Sequence, residues 1–94
     1  MESVNKRTER ETFEYKGAVY DCTWETDNQL IRHGGPWDRG SADSYYRRGA
    51  NPHFYVGGTG TSDRINKSEM TEEQIEEYYA GYAYNEAQGD YKEY

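Results

Sequence analysis

The chain is expected to form a small α+β domain: a small antiparallel sheet of three to four strands, a short middle helix, and a C-terminal helix packed on the aromatic face of the sheet. Three observations predict it. From Thr12 onward, apolar and aromatic residues alternate with polar ones, as on a strand with one buried face. At Thr71 a capping box opens a long stretch of helical periodicity. The side chains available to fill a core are mostly rings, eleven Tyr, two Trp and two Phe among 94 residues.

That last point decides how the domain must be held. Leu, Ile, Val and Phe total only nine, and the net charge is -7, a composition bordering on that of disordered chains. Each aromatic ring buries roughly 150–250 Å². Tyr and Trp therefore replace branched aliphatics as the source of dry contact.

Residues 1–10 read as a flexible, charged arm, and 11–94 as a single domain. In "TFEYKGAVYDCTWETDNQLIRHGG", Lys16-Gly17 and Asp27-Asn28 are two-residue turns. The first pairs Tyr15 with Ala18 and Phe13 with Tyr20; the second pairs Trp24 with Ile31 and Cys22 with His33. Both registers place the apolar residues on one face, which argues for a three-stranded meander. A short helix follows over Ser41–Arg48, with Ser41 as N-cap, Arg47 and Arg48 in the last turn, and Gly49 at C′. His53–Val56 reads as a fourth strand and 57–69, glycine-rich at 57–62, as an exposed loop. In the last helix Thr71 and Gln74 form the capping box and Gly89 ends the element. Its stripe Ile75, Tyr78, Tyr79 and Tyr82 is expected to meet Phe13, Tyr20 and Trp24, with Glu73, Glu77 and Tyr84 facing away. Gly81 costs about 1 kcal/mol in a helix interior, unless a close neighbour needs the space. Tyr91 folds back onto the body.

The composition narrows the function classes. No apolar run reaches the ~20 residues of a membrane span, and the charged start lacks the apolar stretch of a secretory signal. A cytoplasmic location and no membrane partner follow. A single cysteine precludes an internal disulfide framework. Residues 69–94 hold eight acids and one base, whereas 32–48 hold four Arg against two Asp. The acidic helix is a solvated face or, as an alternative, a mimic of nucleic acid that docks on a basic partner.

No assembled chemistry is evident. Cys22, His33 and His53 are the only soft metal ligands and lack CxxC or HxxxH spacing, so neither metal nor cofactor is expected. Cys22 with His33 would be a thin thiolate pair. "VGGTGTSDR" has no lysine for a Walker loop and Asp63 where a dinucleotide fingerprint needs glycine. The chain is expected to be no enzyme.

The segment "GPWDRGSADSYYRRGANPH" carries the candidate binding residues: Trp37, Asp38, Arg39, Tyr45, Tyr46, Arg47, Arg48, Asn51 and His53. Trp, Tyr and Arg are the residues of interaction hot spots, and rings beside guanidinium groups also stack single-stranded bases. The structural alternative is that Trp37 and one Tyr close the core while Asp38 or Asp43 neutralises an Arg. A protein partner is one expectation, RNA or the ribosome a second, and self-association into a homodimer a third.

With "HGGPWDRGSADSYYRRGANPH" and "MTEEQIEEYYAGYAYNEAQGDYKEY", the chain resembles a group of small tailed-phage proteins, of the kind carried by myophages of marine cyanobacteria, over roughly residues 20–94. The resemblance implies a phage source and expression in the host cell, so the protein partner expected from the Trp/Tyr/Arg segment would be a host component in the host cytoplasm. Tyr46, Gly49, Asn51, Pro52 and "YYAGY" are also similar to ribosome modulation factor, which implies RNA or ribosome association.

Overall fold

A computed structural model of the chain describes residues 11–24, 27–57, 63–89 and 91. The elements are β1 (Thr12–Tyr15), β2 (Ala18–Asp21), α1 (Pro36–Tyr45), β3 (His53–Tyr55), β4 (Arg64–Asn66), a 3-10 turn at Lys67–Glu69 and α2 (Glu72–Gln88). The fold is α+β, and among the described residues four strands are arranged as two separate antiparallel pairs, β1–β2 and β3–β4.

The first hairpin has the expected register, Phe13 opposite Tyr20 and Tyr15 opposite Ala18. Lys16 and Gly17 both take positive φ, 52° and 86°, which is what a tight hairpin turn demands of its two central residues. The third strand of the expected meander is absent; residues 27–34 run through turns. Asn28 explains the change. Its side-chain amide donates to the carbonyls of Asp21 (3.1 Å) and Thr23 (2.8 Å), and its oxygen accepts from Leu30 N–H at 3.1 Å. The chain is thus folded over locally, as Asn side chains favour in turns, and the Trp24–Ile31 and Cys22–His33 pairs do not form. Trp24, expected in the core, is 77 % exposed.

Helix α1 begins at Pro36, not after Ser41. Pro36 suits the first helical turn because its missing N–H needs no partner there, and Gly35 is the N-cap. Asp38 reaches back to accept the Gly34 N–H at 2.8 Å. The helix ends at Tyr45 with the C-cap at Tyr46, so Arg47 and Arg48 lie beyond it and Gly49 is not the C′ residue. Arg47 N–H donates to Ser44 O at 3.0 Å and Arg48 N–H to Asp43 O at 2.8 Å. This is the Schellman closure, with arginine, at φ 60°, in the position glycine usually takes.

The helices cross at two glycines. A Cβ on Gly40 would collide with the Tyr78 carbonyl, whose carbon would be 2.9 Å away; one on Gly81 would lie 2.9 Å from Trp37 Cα. The close neighbour that justifies Gly81 is therefore the backbone of α1. Ser44, fully buried at the same contact, accepts from Asn85 Nδ2 at 3.0 Å and donates to Glu86 Oε2 at 2.7 Å.

This contact divides the core. On one side Cys22, Trp37 and Ala80 are buried beneath Phe13, Tyr15, Tyr20, Leu30, Ile31 and Tyr84. On the other, Phe54, Met70 and Tyr78 are covered by Ile65, Ile75, Tyr79 and Tyr82. The stripe of α2 thus packs on the second hairpin rather than on Phe13, Tyr20 and Trp24. It is Tyr84, expected to face away, that meets the aromatic face of the first hairpin, 5.4 Å from Phe13 between ring centroids. Glu77 is half-buried, its carboxyl raised by burial and by Glu73 and eased by Arg32, so it too does not simply face solvent.

The second hairpin pairs Phe54 with Ile65 and Tyr55 with Arg64. Residues 64–69, expected as loop, supply β4 and the 3-10 turn; 58–62 lie outside the described residues. Tyr55 N–H donates to Gly34 O at 2.7 Å and Arg32 Nη1 to Val56 O at 3.1 Å, which straps β3 to the start of α1. The capping box of Thr71 and Gln74 and the left-handed Gly89 bound α2 as expected. Tyr91 does fold back, its hydroxyl donating to Glu86 at 3.0 Å.

Candidate functional site

Nine sequence-predicted residues part company in the structure. Trp37 is only 4 % exposed and belongs to the core. It is removed from any surface patch because α1 starts early enough to turn its ring toward Phe13, Tyr20 and Tyr84. Asp38 faces Arg39, 3.3 Å from its Nε. Tyr45 and Tyr46 pack edge to face, with centroids 5.0 Å apart. Arg48 lies over the Tyr46 ring at 4.8 Å and Arg47 over the Tyr91 ring at 5.0 Å. Tyr46, Arg47 and Arg48 are thus an exposed aromatic and guanidinium face at the end of α1.

Beside this face opens a cleft of about 390 Å³ lined by Arg39, Asp43, Arg48, Gly49, Asn51, His53, Tyr55 and Arg64. Four of these, Arg39, Arg48, Asn51 and His53, are among the sequence-predicted residues. Its floor is a buried polar network. Asp43 is 3 % exposed. Its Oδ1 accepts from Arg48 Nε at 2.9 Å, and its Oδ2 accepts from the Tyr78 hydroxyl. That same hydroxyl accepts the Asn51 N–H at 2.8 Å. The Asn51 carbonyl lies 2.7 Å from His53 Nδ1. A carbonyl only accepts, so Nδ1 carries the proton. A loop lacking regular backbone pairing is in this way tied to both helices and to β3, and the Asp43 carboxylate and the Tyr78 hydroxyl are both satisfied.

The electrostatics follow. Burial lowers the His53 imidazole below its ordinary range; Arg64 and Arg39 push the same way, against the Asn51 carbonyl and Asp43. His53 is a neutral, oriented wall. Burial raises the Tyr78 phenol far above its usual value, and the Asp43 carboxylate adds to this, so Tyr78 stays a donor. Among the described residues lining the cleft, positive charge comes from Arg39, Arg48 and Arg64, against the carboxylate of Asp43.

Sequence reasoning missed Arg64 and Tyr55. They come together because Tyr55 stands opposite Arg64 in the β3–β4 register; the available signal was the apolar Ile65 between polar neighbours, a short strand in a segment expected as loop. Cys22 and His33 do not form a thiolate pair. His33 is exposed in a turn, and burial, with Glu11 nearby, raises the Cys22 thiol. Among the described residues, no group of three His, Cys, Asp or Glu is placed to hold a metal, and no helix is long and apolar enough to cross a membrane.

Compared with family models, curated proteins and solved structures, the chain matches none.

Proposed function

We propose that the protein is a non-enzymatic interaction protein, phage-encoded and acting in the host cytoplasm, that binds a host protein through the face of Tyr46, Arg47 and Arg48 and the adjoining cleft. The observation that carries this is the backbone of Arg47. A left-handed residue that is not glycine costs roughly 1 kcal/mol, and glycine at this position would relieve it. Arginine at φ 60°, exposed and touching the Tyr91 ring on one side, supports a requirement for its side chain beyond closing the helix. The polar groups of the floor favour binding over catalysis. Asp43 and Tyr78 are committed to hydrogen bonds that hold the walls, and His53 gives its Nδ1 proton to the Asn51 carbonyl.

The test is capture from host lysate with Arg47→Gly and, separately, Tyr46→Ala. Arg47→Gly relieves the backbone and loses the Tyr91 contact, so its stability should stay within about 1 kcal/mol of the parent. Loss of a single dominant captured protein in a variant that melts normally supports the proposal; undiminished capture overturns it. RNA or ribosome association is the second reading, favoured by the same rings and guanidinium groups. It requires capture that nuclease abolishes and that falls steeply with salt. The net charge of -7 weighs against it. Two other readings have less behind them. The acidic-mimic reading rests on the exposed Glu72, Glu73 and Glu76 of α2, and homodimerisation on the exposed Val19, Trp24 and Val56.

A further inference from the structure

We propose that the cleft between α1 and the second hairpin binds a phosphate monoester, carried by a phosphorylated side chain of the partner. This deepens the preceding proposal, on whose binding face it rests, by naming the chemical group that is recognised.

Three arginines line the cleft from three different parts of the chain: Arg39 from within α1, Arg48 from the turn after it, and Arg64 from β4. Only part of their charge is met inside the protein. Arg48 is matched by Asp43, whose two oxygens are already occupied by Arg48 and Tyr78. Arg48 nonetheless leaves half its side chain in solvent. Arg39 has Asp38 as its carboxylate contact, 3.3 Å from Nε, yet that nitrogen is buried and makes no hydrogen bond. Arg64 donates from Nε to Asn66 Oδ1 at 2.8 Å, and among the described residues no carboxylate pairs with it.

This distribution selects the ligand. A carboxylate is flat and is satisfied by one bidentate arginine. A phosphate monoester carries close to two negative charges and three terminal oxygens, and arginine clusters are its usual receptor. Three donors from three directions suit the tetrahedral group. The space, about 390 Å³, lies at the low end of ligand clefts, roughly 300–1,000 Å³, and accommodates the phosphate with the side chain that bears it. Nucleic acid offers singly charged diesters in a repeating array and would be repelled over much of a chain of net charge -7.

The experiment is an amide NMR titration of the full chain at constant ionic strength. The probes are inorganic phosphate, N-acetyl-phosphoserine amide, its unphosphorylated serine counterpart, and a single-stranded RNA oligomer. Saturable shifts are expected at Arg39, Arg48, His53 and Arg64 with phosphoserine and none with serine. Arg64→Gln should weaken phosphoserine binding about tenfold, equivalent to about 1.4 kcal/mol. Lys67→Gln, which removes the same charge from an exposed turn outside the cleft, should leave it unchanged. Equal loss in both variants would reduce the effect to net charge and overturn the site. Binding of inorganic phosphate without phosphoserine, or tighter binding of the RNA, would overturn the assignment to a phosphorylated side chain. If phosphoserine fails while Arg47-dependent lysate capture persists, this inference falls and the protein-binding proposal stands. If phosphoserine binds and capture is absent, the reverse holds.

Discussion

Tyr84 and Tyr78 leave α2 toward different sides of α1, and their hydroxyls end in different places. Tyr84 lays its ring against Phe13 and Trp37, with centroids 5.4 Å away in each case, and sends its hydroxyl outward to Glu11. Tyr78 is fully buried and sends its hydroxyl inward, between Asp43 and the Asn51 backbone. The first side is therefore rings around a dry centre, with polar tips at the edge. The second is rings around a polar knot. A dry cluster tolerates small shifts in its polar rim. A buried polar knot does not, because each broken hydrogen bond exposes an unsatisfied partner. The cleft sits over the knot, where the walls are most narrowly positioned.

This contrast can be broken most forcefully on the dry side. Trp37→Ala removes the ring shared by Phe13, Tyr20 and Tyr84. It should cost about 3–5 kcal/mol, a large part of the roughly 5–15 kcal/mol available to a domain. Denaturant titration should show little cooperative transition left, and a melt like that of the parent would mean that this cluster is not the main support.

On the wet side, Tyr78→Phe keeps the ring and deletes only the hydroxyl. Asn51 N–H and Asp43 Oδ2 each lose a partner, so a loss of about 1–3 kcal/mol is expected. The Asn51 amide should exchange much faster with solvent, while amides of the first hairpin change only with global stability. Uniform acceleration everywhere would argue against a separate knot.

A smaller effect separates the two sides by pH. His53 is packed against Asp43 and Arg39 of α1, Arg64 of β4 and Tyr78 of α2. Its folded-state pKa is depressed, so between that value and the unfolded value of about 6.5 the unfolded chain binds more protons. The His53 contribution is thus fully present above about pH 6.5 and is lost as pH falls toward the folded value. The melting temperature should drop between about pH 7.5 and about pH 5.5, and His53→Gln should flatten that drop. An equal drop in the variant would assign the effect to other groups.

The smallest change is expected at Trp24. With 77 % of its surface exposed, Trp24→Ala should shift stability by no more than about 0.5 kcal/mol. Against Trp37→Ala, it measures how far two tryptophans of one small domain can differ.

How much of this was legible in the sequence varied with the range of the interaction. The first hairpin, the capping box at Thr71 and the stop at Gly89 were legible because turn and cap chemistry acts over a few residues. The third strand was not legible because Asp27-Asn28 fits either a hairpin turn or a local fold-over, and the side chain of Asn28 draws the chain into local hydrogen bonds. The middle helix starts earlier than the cap-like Ser41 predicts, because Pro36 fits the first turn and Asp38 accepts the Gly34 N–H. Two of the three cleft arginines were legible. Arg39 and Arg48 are close in sequence to the rings that flagged them, whereas Arg64 joins only through the pairing of β4 with β3.

The amino-acid sequence by itself determined the α+β class, an aromatic rather than aliphatic core, and the bounds of α2, since composition and short-range backbone chemistry are enough for each. Only the tertiary structure decided which tryptophan is buried, that Gly40 and Gly81 bring α1 and α2 into backbone contact, and that Arg39, Arg48 and Arg64 face one cleft. Those outcomes depend on contacts between residues far apart in the chain, and such contacts are chosen by how rings and helices fill space together, which no local pattern encodes.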